Sequence, residues 1–286
     1  MKYGVIDIGS NSVRLMVAED GIDALRPIYV TSRTTRLIHG MKGAVLAADA
    51  IERTVEAIRG LAREAAEHGA ERVEAFATSA VRDAENREAF YETGVKLRVM
   101  SGDEEAALAY AGALDRYEGK QGVLDIGGGS TEVLCGVDGK VRFSKSVPIG
   151  AVRLYDRMAG SSKDEQLAAA SEALADACRG ADPEADYIGV GGTVHNFAAI
   201  DIGERNFEKM HGWVLTAQRI EAIEQQLTSL PLAERKMIPG IEAHRADILP
   251  MGGAILTAFM RLTGLKKITS GMNDNLQGYI EMYMKQ

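Results

Sequence analysis

Cysteine is scarce in this sequence, with only Cys135 and Cys178 among 286 residues. Their spacing fits no metal-ligand pattern, and small and apolar neighbours place Cys135 in a buried strand, so a disulfide framework is not expected. Long apolar runs are also missing. No stretch of roughly 18 or more apolar residues occurs, and Met1-Lys2 leads straight into a strand. This argues against a membrane span and a secretory signal and predicts a cytoplasmic protein. Positive charge is in deficit: 33 Lys and Arg against 41 Asp and Glu give a formal charge of −8. Nucleic-acid backbones demand a broad basic stripe, which this balance does not favour, so no nucleic-acid partner is expected. A polyanionic ligand would have to be met locally, by a divalent cation and a few arginines.

What the sequence does contain is a duplication. DIGSNS at residues 7–12 and DIGGGST at residues 125–131 each end an apolar strand with Asp and continue into a Gly-rich turn. Small residues in such a turn let backbone N–H groups converge on phosphate oxygens, while the Asp holds water or a metal ion. Gly9, Ser10, Asn11 and Ser12 in the first turn, and Gly127, Gly128, Gly129, Ser130 and Thr131 in the second, are the candidate phosphate donors. The plainer alternative has Asp7 and Asp125 simply capping their own turns.

The elements around the two turns repeat. The first half reads as a hairpin, an aperiodic stretch over residues 36–43, a long helix over residues 46–70 ending at Gly69, and a strand with a polar turn at residues 78–82. A short helix, a strand over LRVM and a helix opened by Ser101 follow, with Glu104 placed for a capping box. From Gly122 the order restarts with a strand pair, a tight Asp138-Gly139 turn and a further strand. Two α/β domains are therefore expected, residues 1–117 and 118–286, joined near residues 117–121, with the C-terminal helix a candidate to pack back on the first. The ligand is expected in an interdomain cleft.

Glu105 sits in the first turn of the helix after Ser101, where it is placed either to act as a general base or merely to complement the helix dipole. Glu132 is an unusual strand residue that alternation puts opposite Val133, facing either a ligand or solvent. Arg82 follows a strand end and is a candidate for bidentate phosphate contact or an ordinary surface arginine. His195 is divided between a helix-start hydrogen bond and a ligand role, and His211 and Trp213 read as packing. Arg36, Lys42, Lys145, Arg153 and Arg245 are candidate rungs for a long polyanion, though each taken singly reads as a solvated charge.

The set DIGSNSVRLMVAE, ATSAVRDA, SGDEEA, DIGGGSTEV, GVGGTVHNFAA, HGWVLT and PGIEAHRADILPMGGAI resembles the exopolyphosphatase and guanosine pentaphosphate phosphohydrolase (Ppx/GppA) family, along nearly the whole chain and in order. SGDEEA and the Ser-Asn-Ser ending of the first loop discriminate it from other members of the superfamily of actin, sugar kinases and 70-kDa chaperones. The resemblance implies an α/β fold of two ribonuclease H-like (actin-like ATPase) domains, each with a mixed sheet. It implies Mg²⁺-dependent hydrolysis of a terminal phosphoanhydride, in inorganic polyphosphate or guanosine pentaphosphate, and a homodimer. By the same resemblance Glu105 activates the attacking water, Asp125 and Glu132 are associated with the metal, as Asp7 would be by its matching position, and Asn11 and Arg82 contact phosphate. Longer members carry a further helical region with a His-Asp motif that this sequence does not contain, and the family's closing Arg-Gly stands here as Gln277-Gly278.

Three rivals remain beside exopolyphosphatase. Guanosine pentaphosphate 5′-phosphohydrolase would use the same groups and accept a nucleotide. A sugar kinase is disfavoured by SGDEEA and by the lack of a legible sugar-binding insertion. A non-catalytic polyphosphate or guanosine tetraphosphate sensor would gain nothing from three acids facing an anion unless a metal were present.

Overall fold

The computed structural model describes residues 1–21, 25–114 and 118–285. Strand β1 (Lys2–Ile8) is buried along nearly its whole length, as a central strand must be. A short turn forces β2 (Ser12–Asp20) to return antiparallel, and β3 (Leu25–Thr34) adds a second antiparallel pairing. Helix α1 (Ala48–Glu67) buries Ala50, Thr54, Ile58, Leu61 and Ala65 at three- and four-residue spacing. It is the crossover that lets β4 (Arg72–Ala77) run parallel to β1. The one-turn helices α2 (Ser79–Arg82) and α3 (Glu88–Tyr91) lead to β5 (Lys96–Val99), parallel to β4, and then to α4 (Gly102–Ala113). The five strands lie in the order β3-β2-β1-β4-β5.

The order then restarts. β6 (Lys120–Ile126), β7 (Thr131–Val137) and β8 (Lys140–Val147) pair antiparallel. Asp138 and Gly139, both with positive φ, make the tight turn between the last two. Helices α5 (Ala151–Met158) and α6 (Lys163–Gly180) cross over to β9 (Asp186–Val190), parallel to β6. Then come α7 (Gly191–Ile202), α8 (Phe207–Met210), β10 (Val214–Thr216), α9 (Ala217–Ser229), α10 (Leu232–Arg235), α11 (Leu249–Thr263) and β11 (Lys267–Ser270). The sheet order β8-β7-β6-β9-β11 reproduces the first sheet in order and sense, and β10 extends its edge. The chain ends in α12 (Asn275–Tyr279) and a π-helical turn, Ile280–Met284. Among the described residues no helix is long and apolar enough to cross a membrane.

The chain divides into a first unit, Met1–Gly112 with Asn275–Gln286, and a second, Ala113–Asp274. The division falls after Gly112, a few residues before the join expected at residues 117–121, of which Tyr117 lies outside the described residues. In the first unit Tyr3, Phe76, Leu108, Leu276 and Tyr279 share one core. In the second, α11 is buried from Leu249 to Met260.

One strand was not anticipated and one local expectation is corrected. The stretch after the first hairpin contains β3, an edge strand with only Leu25 buried, so it carries no apolar alternation to read. The polar turn expected at residues 78–82 is the helix α2, drawn inward because Ser79, Ala80 and Val81 are buried.

The C-terminal segment is tied to the first sheet through Glu74, which is buried on β4. Its Oε1 accepts from Arg72 Nη2 (2.6 Å) and Lys96 Nζ (3.0 Å), and its Oε2 from the Tyr279 hydroxyl (3.0 Å). Burial raises the Glu74 carboxyl, but hydrogen bonds from Arg72, Lys96 and Tyr279 and the Arg72 charge outweigh it and hold the group below the ordinary glutamate range. A depressed carboxyl contributes stability that is present above its unfolded value near pH ~4.3 and lost as pH falls through the folded value. Thermal unfolding from pH 7 down to pH 3 should therefore show a steeper acid loss in the wild type than in Glu74→Gln. Glu74→Ala should cost about 2–4 kcal/mol at pH 7 by denaturant unfolding.

Candidate functional site

The two Gly-rich turns share one geometry. Gly9 N–H donates to the Ser12 carbonyl (3.1 Å), and Gly127 N–H to the Ser130 carbonyl (3.0 Å). Their other carbonyls are tied to neighbouring chain. The Ser10 carbonyl accepts from Ile38 N–H (3.0 Å), and the Asn11 carbonyl from Thr35 N–H (3.1 Å) and Arg36 N–H (2.8 Å). In the second turn the Gly127 carbonyl accepts from Ala151 N–H (3.0 Å), and Gly128 from Val152 (2.9 Å) and Arg153 (3.0 Å), all in the first turn of α5. Arg153 Nε donates to the Gly129 carbonyl (2.8 Å). A trans peptide points its C=O and N–H in opposite directions. Anchoring these carbonyls therefore aims the following N–H groups, those of Asn11 and Ser12 and of Gly128, Gly129 and Ser130, the other way, where an anion can collect them. Glycine is required next to this loop, because a Cβ on Gly150 would lie 2.4 Å from the Gly128 carbonyl carbon.

The side chains of the turns are largely buried. Ser10, Asn11, Ser12, Ser130 and Thr131 are all below one-tenth exposure, and Asn11 Nδ2 donates to Ser12 Oγ (3.2 Å). Thr131 gives its hydroxyl proton to the Ile149 carbonyl (2.6 Å), so that side chain fastens the turn.

The acids at the strand ends differ in charge environment. Asp7 and Arg14 are cross-strand partners, and Asp7 Oδ2 takes Arg14 Nε (3.1 Å) and Nη2 (2.5 Å). At the same register in the second hairpin Asp125 is opposite Glu132, both buried. Ser146 Oγ donates to Glu132 Oε1 (2.7 Å). Two carboxylates side by side in a dry strand pair demand compensating positive charge or donors. Their all-oxygen donor set fits Mg²⁺, an ion held through one or two carboxylates with the remainder from water and phosphate. No group of three or more His, Cys, Asp or Glu placed for a metal occurs among the described residues.

Glu105 occupies the first turn of α4, its backbone N–H on the Ser101 carbonyl (2.9 Å). Its neighbour Glu104 completes the capping box with Ser101 (2.8 and 3.2 Å), which leaves Glu105 to face inward, buried. Glu105 Oε2 accepts from Arg82 Nη1 at 2.6 Å. The expected base and the expected phosphate-binding arginine are thus in direct contact within the first unit.

In the second unit, Gly127, Gly128, Ala151, Gly192, Thr193, Arg245, Ile248 and Leu249 line a small recess beneath the glycine turn. Arg245 lies across Gly192, where a Cβ would come within 2.3 Å of its guanidinium. Glu242 holds Arg245 (2.8 Å) and Arg205 (3.0 Å) and accepts from Asn196 Nδ2 (2.9 Å). Burial raises the Glu242 carboxyl, yet the charges of Arg245 and Arg205, the Asn196 hydrogen bond and His244 hold it below the usual range. Other candidates point elsewhere: Lys145 pairs with Asp176 (2.7 Å), His195 Nε2 bonds the Gly271 carbonyl (2.7 Å), and Trp213 Nε1 donates to Asp201 (2.8 Å).

Sequence reasoning missed Arg14, Gly150, Arg153's anchoring role and the Glu242–Asn196 support. Arg14 had a usable signal, since a hairpin with this turn pairs residues seven apart, and the second copy puts Glu132 at the same offset.

Two units of one strand order, each with an acid-ended strand and a glycine turn whose carbonyls are pulled back, define an actin-like, phosphate-handling α/β protein. The sequence matches the model of the Ppx/GppA phosphatase family over residues 16–271, and the chain belongs to that family. It is 29% identical to exopolyphosphatase 2 of Mycobacterium tuberculosis, covering 97% of each chain. It is 26% identical to the guanosine-5′-triphosphate,3′-diphosphate pyrophosphatase of Aeromonas hydrophila, across 93% of this chain and 56% of that longer one. The crystal structure of the Aquifex aeolicus Ppx/GppA family member superposes with a TM-score of 0.82 at 29% identity, covering 100% of this chain and 98% of that one.

Gly191 tests the packing around Asp125. Its φ is +84°, and a Cβ there would lie 2.4 Å from Asp125 Oδ1. Gly203 has the same φ with open space around it. Gly203→Ala should cost about 1–2 kcal/mol, the left-handed penalty alone, whereas Gly191→Ala should cost about 1–3 kcal/mol more. Equal losses in urea unfolding would contradict the close approach.

Proposed function

We propose that this protein is an exopolyphosphatase, hydrolysing the terminal phosphoanhydride of inorganic polyphosphate and releasing orthophosphate. The observation that carries the reading is the buried Glu105 carboxylate in contact with Arg82, a base beside a phosphate ligand. Phosphoanhydride hydrolysis needs a positioned water, an acceptor for its proton, and positive charge on the phosphoryl oxygens. Glu105 is the proton acceptor for the water that attacks phosphorus. Arg82 is assigned to phosphoryl oxygens, and within each turn the outward N–H groups are assigned as phosphate donors, with Asn11 and Ser130 beside them. Asp125 and Glu132 would hold Mg²⁺, which supplies charge neutralisation at the bridging and non-bridging oxygens. Asp7, assigned to the metal by its matching position, also holds Arg14 through Oδ2. The full-length correspondence with the mycobacterial exopolyphosphatase supports polyphosphate as substrate. The same reading carries a cytoplasmic homodimer.

Guanosine pentaphosphate 5′-phosphohydrolase is the second reading, favoured by the Aeromonas relative that matches across 93% of this chain. Orthophosphate release with Mg²⁺ from long-chain polyphosphate and from guanosine pentaphosphate, run in parallel, separates the two. Glu105→Ala should lower turnover on the true substrate by roughly two to four powers of ten. Chelation with EDTA should abolish release and added Mg²⁺ restore it. Release from neither substrate would favour a phosphate-ligand sensor, and unchanged turnover in Glu105→Ala would remove the proposed base.

A further inference from the structure

Taking Glu105 as the base, as proposed above, its contact with Arg82 poses a chemical problem. A carboxylate oxygen held at 2.6 Å by a guanidinium is a poor acceptor for a water proton, because the pair stabilises the charged carboxylate. The same guanidinium is the group assigned to the substrate. Arg82 Nη1 is engaged by Glu105 and the Met100 carbonyl (3.3 Å), and Nε lies 3.5 Å from Asp83 Oδ1, so each two-nitrogen face that a terminal phosphate would grip already has one nitrogen engaged.

We propose that Arg82 is a transferable counter-ion: closed on Glu105 in the free protein, it moves to the terminal phosphate when substrate binds, so that occupancy itself releases Glu105 for the attacking water. The main chain around Arg82 is held firmly. Its N–H donates to the Thr78 carbonyl (2.9 Å), and its carbonyl accepts from Arg87 Nη1 (3.1 Å), so the movement belongs to the side chain alone. The two partners differ in exposure: 22% for the Arg82 side chain and 6% for that of Glu105. The arginine is the partner an incoming anion meets first, and the carboxylate stays behind in its buried position on α4. A terminal phosphate carries more negative charge than a carboxylate and accepts two guanidinium N–H groups in parallel, so it competes for Arg82 on favourable terms. The transfer needs no backbone change and couples the strength of the base to the presence of its substrate. Water meeting the free protein finds a neutralised carboxylate.

The prediction is thermodynamic. Wild-type protein must break the Arg82–Glu105 pair to bind a phosphate chain, and that cost disappears when the carboxylate charge is removed. The probe is a methylene-bridged triphosphate, whose P–C–P links resist hydrolysis, titrated calorimetrically with Mg²⁺ present. Glu105→Gln should bind it on the order of tenfold more tightly than the wild type. Removing a negative charge near an anion could do the same without any transfer, so the measurement is repeated with Arg82→Gln. In that background, adding Glu105→Gln should change affinity by less than about twofold. With Arg82→Lys, which keeps the charge, a several-fold gain should return. Thermal unfolding of each variant checks that the fold is retained.

An equal gain in both backgrounds, or no gain at all, overturns the transfer while leaving the hydrolytic reading intact, provided the wild type still releases orthophosphate from polyphosphate or guanosine pentaphosphate. A wild type that neither binds the analogue nor releases orthophosphate from either substrate overturns both.

Discussion

Two carboxylates set side by side in a buried hairpin are the constraint on which the second unit depends. Asp125 and Glu132 are register partners on β6 and β7, both nearly sealed from solvent. Like charges facing across a strand pair repel, and desolvation raises the cost further. Such an arrangement is retained only where positive charge or strong donors answer it, which is the condition of a cation site. In the first hairpin the same offset pairs Asp7 with Arg14, so the answer is built into the chain. The duplicated device has thus diverged in one side chain, with an internal cation in one copy and a second acid in the other.

The turns themselves depend on a second constraint, the opposition of C=O and N–H across a peptide. Thr35, Arg36 and Ile38 draw back the carbonyls of the first turn, and α5 with Arg153 draws back those of the second. Arg36 adopts φ +50° in doing so, a left-handed conformation uncommon for arginine, which fits a segment shaped by the turn it braces. Around the second turn the glycines are demanded by space: Gly150 against Gly128, and Gly191 against Asp125. Phosphate affinity in such a site arises from fixed dipoles, and an acidic protein can therefore bind a polyanion without a broad basic surface.

Much of this was legible in the residues. The Asp-Gly turns announce themselves by their duplication, the Ser101–Glu104 box places α4, and its completion by Glu104 explains why Glu105 faces inward. The edge strand β3 was not legible, because only Leu25 of its residues is buried and a strand solvated on both faces carries no apolar period. The pairing of Arg14 with Asp7 depends on hairpin register, and the one sequence signal for it is the seven-residue offset that Asp125 and Glu132 repeat. Arg82 and Glu105 lie 23 residues apart, and Glu74 and Tyr279 lie 205 apart, so each contact exists only after the sheet has ordered its strands. Gly278, the glycine of the closing Gln277-Gly278 pair, is needed because a Cβ there would come within 2.3 Å of the Leu108 carbonyl oxygen on α4, the helix that carries Glu105.

The most direct measurement is the stoichiometry of Mn²⁺, standing in for Mg²⁺, bound by the protein alone, by electron paramagnetic resonance of the free ion. It compares the wild type with Glu132→Arg, which gives the second hairpin the charge arrangement of the first. The account predicts at least one equivalent bound by the wild type and at least a tenfold weaker association in a folded Glu132→Arg protein. Undiminished Mn²⁺ binding in that variant would contradict a cation site at Asp125 and Glu132.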